Sequence, residues 1–124
     1  MRTQEVLIVV RRADEFLVVH RSPENDGYWH QIAGGVEEGE TFAEAAVREL
    51  REETGLEAPV EALDAPFVYE AVHVETFVAE APADWEPTLD WEHDGYRWCG
   101  VDEARSTFHW PETAESLRTL LSAP

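Results

Sequence analysis

Residues 34–56 read GGVEEGETFAEAAVRELREETGL, and this segment constrains the fold more than any other stretch of the chain. Thr41 and Glu44 have the spacing of a capping box, in which the hydroxyl and the carboxylate each accept a hydrogen bond from an otherwise unpaired amide. Gly55 can adopt the left-handed conformation that ends a helix. A helix is therefore predicted from Phe42 to Thr54, with a buried stripe at Phe42, Ala46 and Leu50.

The rest of the chain alternates between β-rich runs and turn-rich loops. Apolar runs predict strands at 6–10, 16–20, 28–32, 58–63, 67–80 and 96–101, with surface loops at 22–27 and 81–94. Pro111 suits the first position of a closing helix that carries Leu117, Leu120 and Leu121. Neither an internal repeat nor a linker is visible in the 124 residues, so the pattern indicates one α/β domain.

The charge balance restricts the partners that this chain can bind. There are 27 acidic residues against 9 basic ones, which gives a formal net charge of −18. Such a surface repels nucleic-acid phosphates and anionic lipids, so polynucleotide and membrane partners are not expected. A small phosphorylated substrate is still compatible, because a bound divalent cation reverses the local sign of the charge.

The expected location is the cytoplasm. Cys99 is the only cysteine, so no intrachain disulfide can form, and a small residue packed in a strand is its expected role. The first residues lack the pattern of a signal peptide, because the apolar run at 6–10 is short. None of the segments approaches the ~20 apolar residues of a membrane span.

Three glutamates share one face of the predicted helix. Glu49, Glu52 and Glu53 stand at i, i+3 and i+4, near the C-terminal end where the helix dipole disfavours anions. A divalent cation would compensate their repulsion, because Mg2+ prefers oxygen ligands from a few carboxylates and a substrate phosphate. Glutamates on helices are more commonly solvated surface. The glycines that precede and follow this helix favour an ion site over that alternative.

The same segment resembles the Nudix box, G-x5-E-x7-R-E-U-x-E-E-x-G-U, in which U is aliphatic. Every defined position matches at the right spacing: Gly34, Glu40, Arg48, Glu49, Leu50, Glu52, Glu53, Gly55 and Leu56. The similarity extends to Leu17–Arg21 before the box and to Glu92 and Tyr96–Trp98 after it. The resemblance implies a Nudix α/β/α sandwich with a central mixed β-sheet, as a single domain over residues 1–124 with its box at 34–56.

Membership of this family implies hydrolysis of a phosphoanhydride bond in a nucleoside diphosphate linked to another group, X. The cofactor is then Mg2+, with Mn2+ as an alternative. The resemblance makes Glu49 and Glu53 the principal metal ligands and lets the Gly34 carbonyl complete the coordination. Glu52 then shares a metal or acts as the base that deprotonates or positions the attacking water.

Other residues carried over from the family act around these ligands. Arg48 would orient the carboxylates, and Glu40 would support the loop from behind them. Glu92, in the acidic loop before the last predicted strand, is an alternative base, although a solvated acid is an equal explanation. Arg21, at the end of a strand, could contact a phosphate or form a structural salt bridge.

The residues before the box indicate a branch of the family. Many Nudix proteins have Leu-Pro before the double glycine, whereas this chain has Ile32-Ala33. The stretch from Trp29 to Thr41 is closer to dihydroneopterin triphosphate (dATP-type) pyrophosphohydrolases, which implies a (deoxy)nucleoside or pterin triphosphate cut to monophosphate and pyrophosphate. A flat ring stacks on aromatic side chains. The candidates, each of which could instead be structural, are Trp29, Tyr69, Trp98 and Trp110.

Several other functions are compatible with these residues. The same chemistry fits a dinucleoside polyphosphate or oxidised-nucleotide hydrolase, and a catalytically silent domain that only binds a nucleotide would share the fold. An acidic scaffold with solvated glutamates would bind no metal. The five histidines lack metal-ligand spacing, which argues against zinc. We expect a small nucleotide-like substrate and a monomer or homodimer.

Overall fold

The computed structural model describes residues 3–109 and 111–122, in which seven strands form one mixed sheet with α-helices on both faces. The strands are β1 (Gln4–Arg12), β2 (Glu15–Arg21), β3 (Trp29–His30), β4 (Ile32–Gly35), β5 (Glu61–Tyr69), β6 (Val72–Glu80) and β7 (His93–Cys99). The helices are α1 (Phe42–Thr54), α2 (Val101–Thr107) and α3 (Pro111–Ser122). A 3-10 helix covers Pro23–Asn25. Among these described segments, none of the helices is long and apolar enough to cross a membrane.

Strand β1 is the centre of the sheet. One of its edges pairs in parallel with β6, from Gln4 opposite His73 to Arg11 opposite Glu80. Its other edge is shared, because the first half pairs antiparallel with β4 and the end pairs with β2. β5 continues the sheet beyond β6, and β3 and β7 pair with β2. Strand β4, which leads towards α1, therefore lies beside the middle of the sheet.

Alternate residues of β1 enter two hydrophobic cores on opposite faces of the sheet, as the side-chain alternation of a strand requires. The core that packs against α1 includes Val6, Ile8, Val10, Ala46 and Leu50. The core that packs against α2 and α3 includes Val9, Val18, Ala104, Phe108 and Leu117. The predicted α/β fold, a sandwich around a mixed sheet, is confirmed.

Helix α1 begins and ends where the sequence predicted. Glu44 N donates to Thr41 Oγ1 at 3.1 Å, and Thr41 N donates to Glu44 Oε1 at 2.9 Å, which completes the capping box. Gly55 has φ 81° and its amide donates to Arg51 O. Both caps depend on residues within one turn of the helix end, and this is why they could be recognised in the sequence.

The strand predicted at 28–32 is two strands, β3 and β4, separated at Gln31. The Gln31 side chain is buried, and its amide donates to Thr113 O at 2.5 Å and to Ser116 Oγ at 3.0 Å. These partners belong to α3, more than 80 positions away in the chain. A long-range contact of this kind leaves no local pattern in the sequence.

The boundary between the next two strands also differs from the prediction. The turn lies at Glu70 and Ala71, which have φ 46° and 67°, rather than between residues 63 and 67. Strand β5 crosses the predicted gap with a register irregularity between Leu63 and Phe67. Left-handed turns normally use glycine, asparagine or aspartate, so this turn carries no compositional marker.

The predicted last strand, 96–101, begins and ends too late, because β7 runs from His93 to Cys99. Helix α2 follows at once and was missed, since seven residues with one fully buried position give no helical periodicity. Cys99 is buried, as expected, and burial raises the pKa of its thiol to about 11. In α3, Leu117 is buried but Leu121 is 52% exposed and lies outside the core.

Candidate active site

Gly34 and Glu49 are in direct contact where β4 meets α1. A Cβ placed on Gly34 would lie 2.1 Å from Glu49 Cδ and 2.4 Å from each carboxylate oxygen. No side chain fits there unless Glu49 moves. The first glycine of the box therefore leaves room for the carboxylate of its second glutamate, which explains why the two residue types occur together at this spacing.

Glu53 is buried against this pair. It is 2% exposed, and neither carboxylate oxygen has a hydrogen-bond partner among the described residues. Burial raises the pKa of Glu53 well above its usual value, and the nearby carboxylates of Glu49, Glu92 and Asp90 raise it further. A buried carboxylate without hydrogen bonds is costly, so Glu53 does not belong to a solvated helix face.

The loop before β7 brings acidic residues to Glu53. Asp90 Oδ1 lies 2.9 Å from His93 Nδ1, and His93 Nε2 lies 3.7 Å from Glu53 Oε1. Ser22 N donates to Glu92 O at 2.9 Å, which fixes the loop to the end of β2. The Glu92 carboxylate is near enough to raise the pKa of Glu53, and its role as a base stays a prediction. Asp90 and His93 were missed, because only the fold brings them to α1.

Arg48 links the box glutamates to one another. Its guanidinium donates to Glu40 Oε2 at 2.7 Å, to Glu49 Oε1 at 2.9 Å and to Glu52 Oε2 at 3.1 Å. It also donates to the Gly35 carbonyl at 2.8 Å. These bonds lower the pKa of Glu40 to about 2 and raise the pKa of Arg48. The orienting role of Arg48 and the supporting role of Glu40 stay predictions, with contacts that suit them.

A cavity of about 380 Å3 opens beside this cluster. Its described lining comes from β1 to β6, the turns beside β3 and β5, and α3: Glu5, Val6, Leu7, Arg21, Tyr28, His30, Ala33, Gly34, Phe67, Tyr69, Glu70, Val74 and Thr113. Gly34 belongs both to this lining and to the contact with Glu49. None of the box carboxylates belongs to this described lining, so Gly34 is the residue at which the cavity and the contact with Glu49 meet.

Two titratable side chains of the cavity, Tyr69 and His30, have shifted pKa values. Tyr69 Oη donates to Glu5 Oε1 at 2.9 Å, and burial together with Glu5 raises the pKa of Tyr69 to about 12. Burial and the positive charge of Arg21 lower the pKa of His30 to about 4. At neutral pH the cavity therefore presents a protonated phenol and a neutral imidazole.

The cavity includes some of the predicted ring-binding residues and not others. Tyr69 and the predicted phosphate ligand Arg21 line it, with Arg21 Cζ 5.6 Å from the centroid of Tyr28. Trp29 and Trp98 are not part of the described lining. Trp110 lies outside the described residues.

The two tryptophans contact other groups. Trp98 packs under Arg12 at 4.0 Å and donates to Glu86 Oε1 at 2.9 Å. Trp29 packs against Arg97 at 4.3 Å. Aromatic rings that do line the cavity, and that sequence reasoning missed, are Tyr28 and Phe67.

Comparison with known proteins decides the family. The Nudix domain model matches residues 1–120. The chain belongs to the Nudix family. Nudix hydrolases are pyrophosphohydrolases that act on phosphoanhydride bonds, so the predicted family and enzyme class are confirmed.

Relatives of this Nudix chain differ in function. The octanoyltransferase of Myxococcus xanthus is 37% identical over 114 residues, which cover 84% of this chain and 32% of that protein, so the chain spans about a third of its length. The asymmetrical bis(5'-nucleosyl)-tetraphosphatase of Mus musculus is 33% identical over 115 residues, covering 84% of this chain and 76% of that protein.

Solved structures agree on the Nudix fold. The E. coli dihydroneopterin triphosphate pyrophosphohydrolase superposes with a TM-score of 0.85 at 20% identity, covering 98% of this chain and 97% of that one. A C. elegans Ap4A hydrolase superposes with a TM-score of 0.82 at 25% identity, covering 95% and 96%. At 20% identity the first likeness shows the fold alone.

Nudix proteins generally use divalent metal ions, and the residues at this box fit such an ion. Glu53 has two buried oxygens without hydrogen bonds, and Glu49 lies against Gly34, so the donors are hard oxygen atoms of the kind that Mg2+ and Mn2+ prefer. Within the described ranges, no three His, Cys, Asp or Glu side chains already surround a common point. Two of the box carboxylates, those of Glu49 and Glu52, pair with Arg48 in this structure.

Proposed function

We propose that this Nudix domain hydrolyses a (deoxy)nucleoside or pterin triphosphate to a monophosphate and pyrophosphate, with Mg2+ as cofactor and Mn2+ as its alternative. One observation carries the proposal: Gly34 lines the aromatic cavity and also contacts Glu49. A ring bound in the cavity would then direct its phosphate chain past Gly34 towards the carboxylates. A small nucleotide-like molecule in the cytoplasm is the substrate that this arrangement suits, with the enzyme as a monomer or homodimer.

The ligands of the metal would be Glu49 and Glu53, with Glu52 and the Gly34 carbonyl as further oxygen donors. A bound divalent cation neutralises phosphate charge and acidifies water in sites of this type. Arg48 keeps Glu49 in place through its hydrogen bond. Together with the burial of Glu53, this positions carboxylates that would otherwise repel one another.

The attacking water needs a base, and two residues can serve. Glu92 lies near Glu53 in the loop before β7, while Glu52 is half-exposed and bonded to Arg48. A base must lie within hydrogen-bond reach of the water that it deprotonates or act through one bridging water. Arg21 in the cavity lining would contact a phosphate oxygen, because guanidinium groups pair well with phosphate.

A second candidate is the hydrolysis of dinucleoside polyphosphates. It is favoured by the 33% identity to the mouse bis(5'-nucleosyl)-tetraphosphatase over 84% of the chain. An oxidised nucleotide is a third compatible substrate. A silent nucleotide-binding domain is less consistent with the box, because every glutamate in it is present.

A substrate panel with resolved products separates these functions. Nucleoside triphosphates, dihydroneopterin triphosphate, oxidised nucleotides, dinucleoside polyphosphates, ADP-ribose and NADH are incubated with Mg2+. We expect monophosphate and pyrophosphate from a triphosphate, and no turnover after the addition of excess chelator. Full turnover in chelator would contradict the metal requirement. Turnover of dinucleoside polyphosphates alone would favour the second candidate.

A further inference from the structure

We propose that Glu5 and Tyr69 select the ring of the substrate: their pair recognises the adjacent N–H donors of a 2-amino-4-oxo ring, as in guanine and pterins, and rejects adenine. This inference rests on the proposed function, because it assigns the ring end of the same substrate. It names a recognition element on β1 and β5 that lies outside the Nudix box.

Glu5 is held at a fixed place in the cavity. It lies in the central strand, between Gly35 of β4 and Val74 of β6 in the sheet register. Its side chain accepts the hydroxyl hydrogen bond of Tyr69 at 2.9 Å. Burial and this hydrogen bond raise the pKa of Tyr69 to about 12, so the phenol keeps the proton that it donates at neutral pH. The carboxylate is therefore positioned before a ligand arrives.

The ring can lie against aromatic side chains beside this carboxylate. Phe67 and Tyr69 are neighbours on one face of β5, with ring centroids 6.3 Å apart and an angle of 32° between planes. Both line the cavity, as does Tyr28. Such rings bind flat heterocycles by stacking and tolerate any base, so they supply affinity without discrimination.

Discrimination between rings comes from the hydrogen-bonding edge that each heterocycle presents to Glu5. A carboxylate is an acceptor with two oxygens, which suits two adjacent donors. Guanine and pterin rings present a ring N–H beside an amino group, whereas adenine presents an amino group beside an acceptor nitrogen. The acceptor nitrogen of adenine would face a carboxylate oxygen and leave both without a partner. A site built in this way rejects the wrong ring strongly.

The charges in the cavity agree with this orientation. Glu5 and Glu70 are both carboxylates, and Arg21 is the cation of the described lining. A triphosphate group placed against the two carboxylates would be repelled, while a neutral ring would not. The ring therefore binds at the Glu5 end of the cavity, and the phosphates bind to Arg21 and the metal ligands.

The test compares GTP, ITP and ATP with Mg2+ in the wild type, in Glu5→Gln and in Glu70→Gln. ITP keeps the ring N–H of guanine and lacks the 2-amino group. We expect the wild type to prefer GTP over ATP by about 10- to 100-fold in kcat/KM, with ITP between them. In Glu5→Gln the amide offers one donor and one acceptor, which matches adenine, so the preference should reverse.

Glu70→Gln is the matched control, because it removes one charge from the same cavity and should keep the preference for GTP. Tyr69→Phe keeps the ring and removes only the hydroxyl, so it should weaken the preference severalfold, and it serves as the second variant if Glu5→Gln does not fold. Equal rates on GTP and ATP in the wild type, or an unchanged preference in folded Glu5→Gln, would overturn the proposal.

Equilibrium binding of GMP and AMP distinguishes this inference from the proposed function. If none of the triphosphates is hydrolysed but GMP binds more tightly than AMP through Glu5, the ring assignment holds and the proposed reaction is wrong. If the triphosphates are hydrolysed without a ring preference, the reaction holds and the ring assignment is wrong. If none of the triphosphates is hydrolysed and GMP binds no more tightly than AMP, both the proposed function and the ring assignment are wrong.

Discussion

At the level of single residues, the contact between Gly34 and Glu49 sets the position of the Glu49 carboxylate. The carboxylate of Glu49 fills the space in which any residue other than glycine would place its Cβ. Arg48 holds the same carboxylate from its other side at 2.9 Å. The position of Glu49, the proposed metal ligand, thus depends on the absence of a side chain at Gly34.

Gly34→Ala should abolish most activity at little cost in stability. The three heavy atoms nearest the added methyl group all belong to the end of the Glu49 side chain, which can rotate away. The free energy of unfolding should therefore change by about 1 kcal/mol or less. Displacing a metal ligand by an ångström or more should lower kcat/KM by about 100-fold. The measurements are steady-state kinetics and urea unfolding.

Gly95→Ala is the control for this substitution, because nothing lies within 4 Å of the position of its Cβ. It should keep both activity and stability. If Gly34→Ala were fully active, Glu49 would not be needed in its observed position, and the assigned site would be wrong.

Among the secondary-structure elements, helix α1 has well-capped termini, but its C-terminal half carries a buried carboxyl group that costs free energy of folding. Its capping box and its Gly55 cap satisfy the backbone at both termini. Its C-terminal half carries Glu53, buried at 2% exposure among other carboxylates. The stable caps and the packed stripe of this helix offset the free-energy cost of that buried group.

Glu53→Gln should remove most activity and stabilise the metal-free protein at neutral pH. The pKa of Glu53 is raised in the folded state, so its contribution to stability is complete below the unfolded pKa and is lost as pH rises through the folded pKa. The amide that replaces this carboxyl group does not titrate. We therefore expect the variant to be more stable than the wild type at about pH 7–8 in excess chelator.

This difference in the free energy of unfolding should disappear as the pH falls below about 4.5, where both states of the wild type carry the proton. Activity with Mg2+ should fall on the order of 100-fold. Chemical unfolding at several pH values measures the first effect. A variant that is fully active, or that is less stable than the wild type at about pH 8, would contradict the role given to Glu53.

At the scale of the whole molecule, acidic charge dominates. The formal net charge is −18, so any cation that binds the folded state reduces repulsion throughout the domain. A specific ion at Glu49 and Glu53 would act in addition to this general effect. The two contributions can be separated by matching the ionic strength.

Mg2+ should raise the melting temperature beyond the effect of NaCl at equal ionic strength. At one hundred times its dissociation constant, a ligand that binds only the folded state adds about 2.7 kcal/mol, which for a domain of this size corresponds to roughly 10 °C. The Glu49→Gln/Glu53→Gln double variant should lose the Mg2+ increment and keep the NaCl response. Equal Mg2+ responses in the two proteins would contradict a metal site at these glutamates.

Helix α1 and the order of the box residues could be predicted from the sequence alone. Thr41, Glu44 and Gly55 act within one turn of the helix ends, and Glu49 and Glu53 are one turn apart, so short-range spacing was sufficient. The family resemblance carried by these residues then indicated the sandwich and the reaction class. Glu92 could be selected from the chain only through that resemblance.

Features that depend on strand register and long-range contacts became visible only in the folded chain. It split the strand at Gln31, started α2 at Val101 and brought His93 against Glu53. Glu5 and Tyr69, which are 64 positions apart, form a hydrogen bond because β1 and β5 both pair with β6. Hydrogen bonds between distant strands set which side chains meet, and no local period of the sequence encodes that choice.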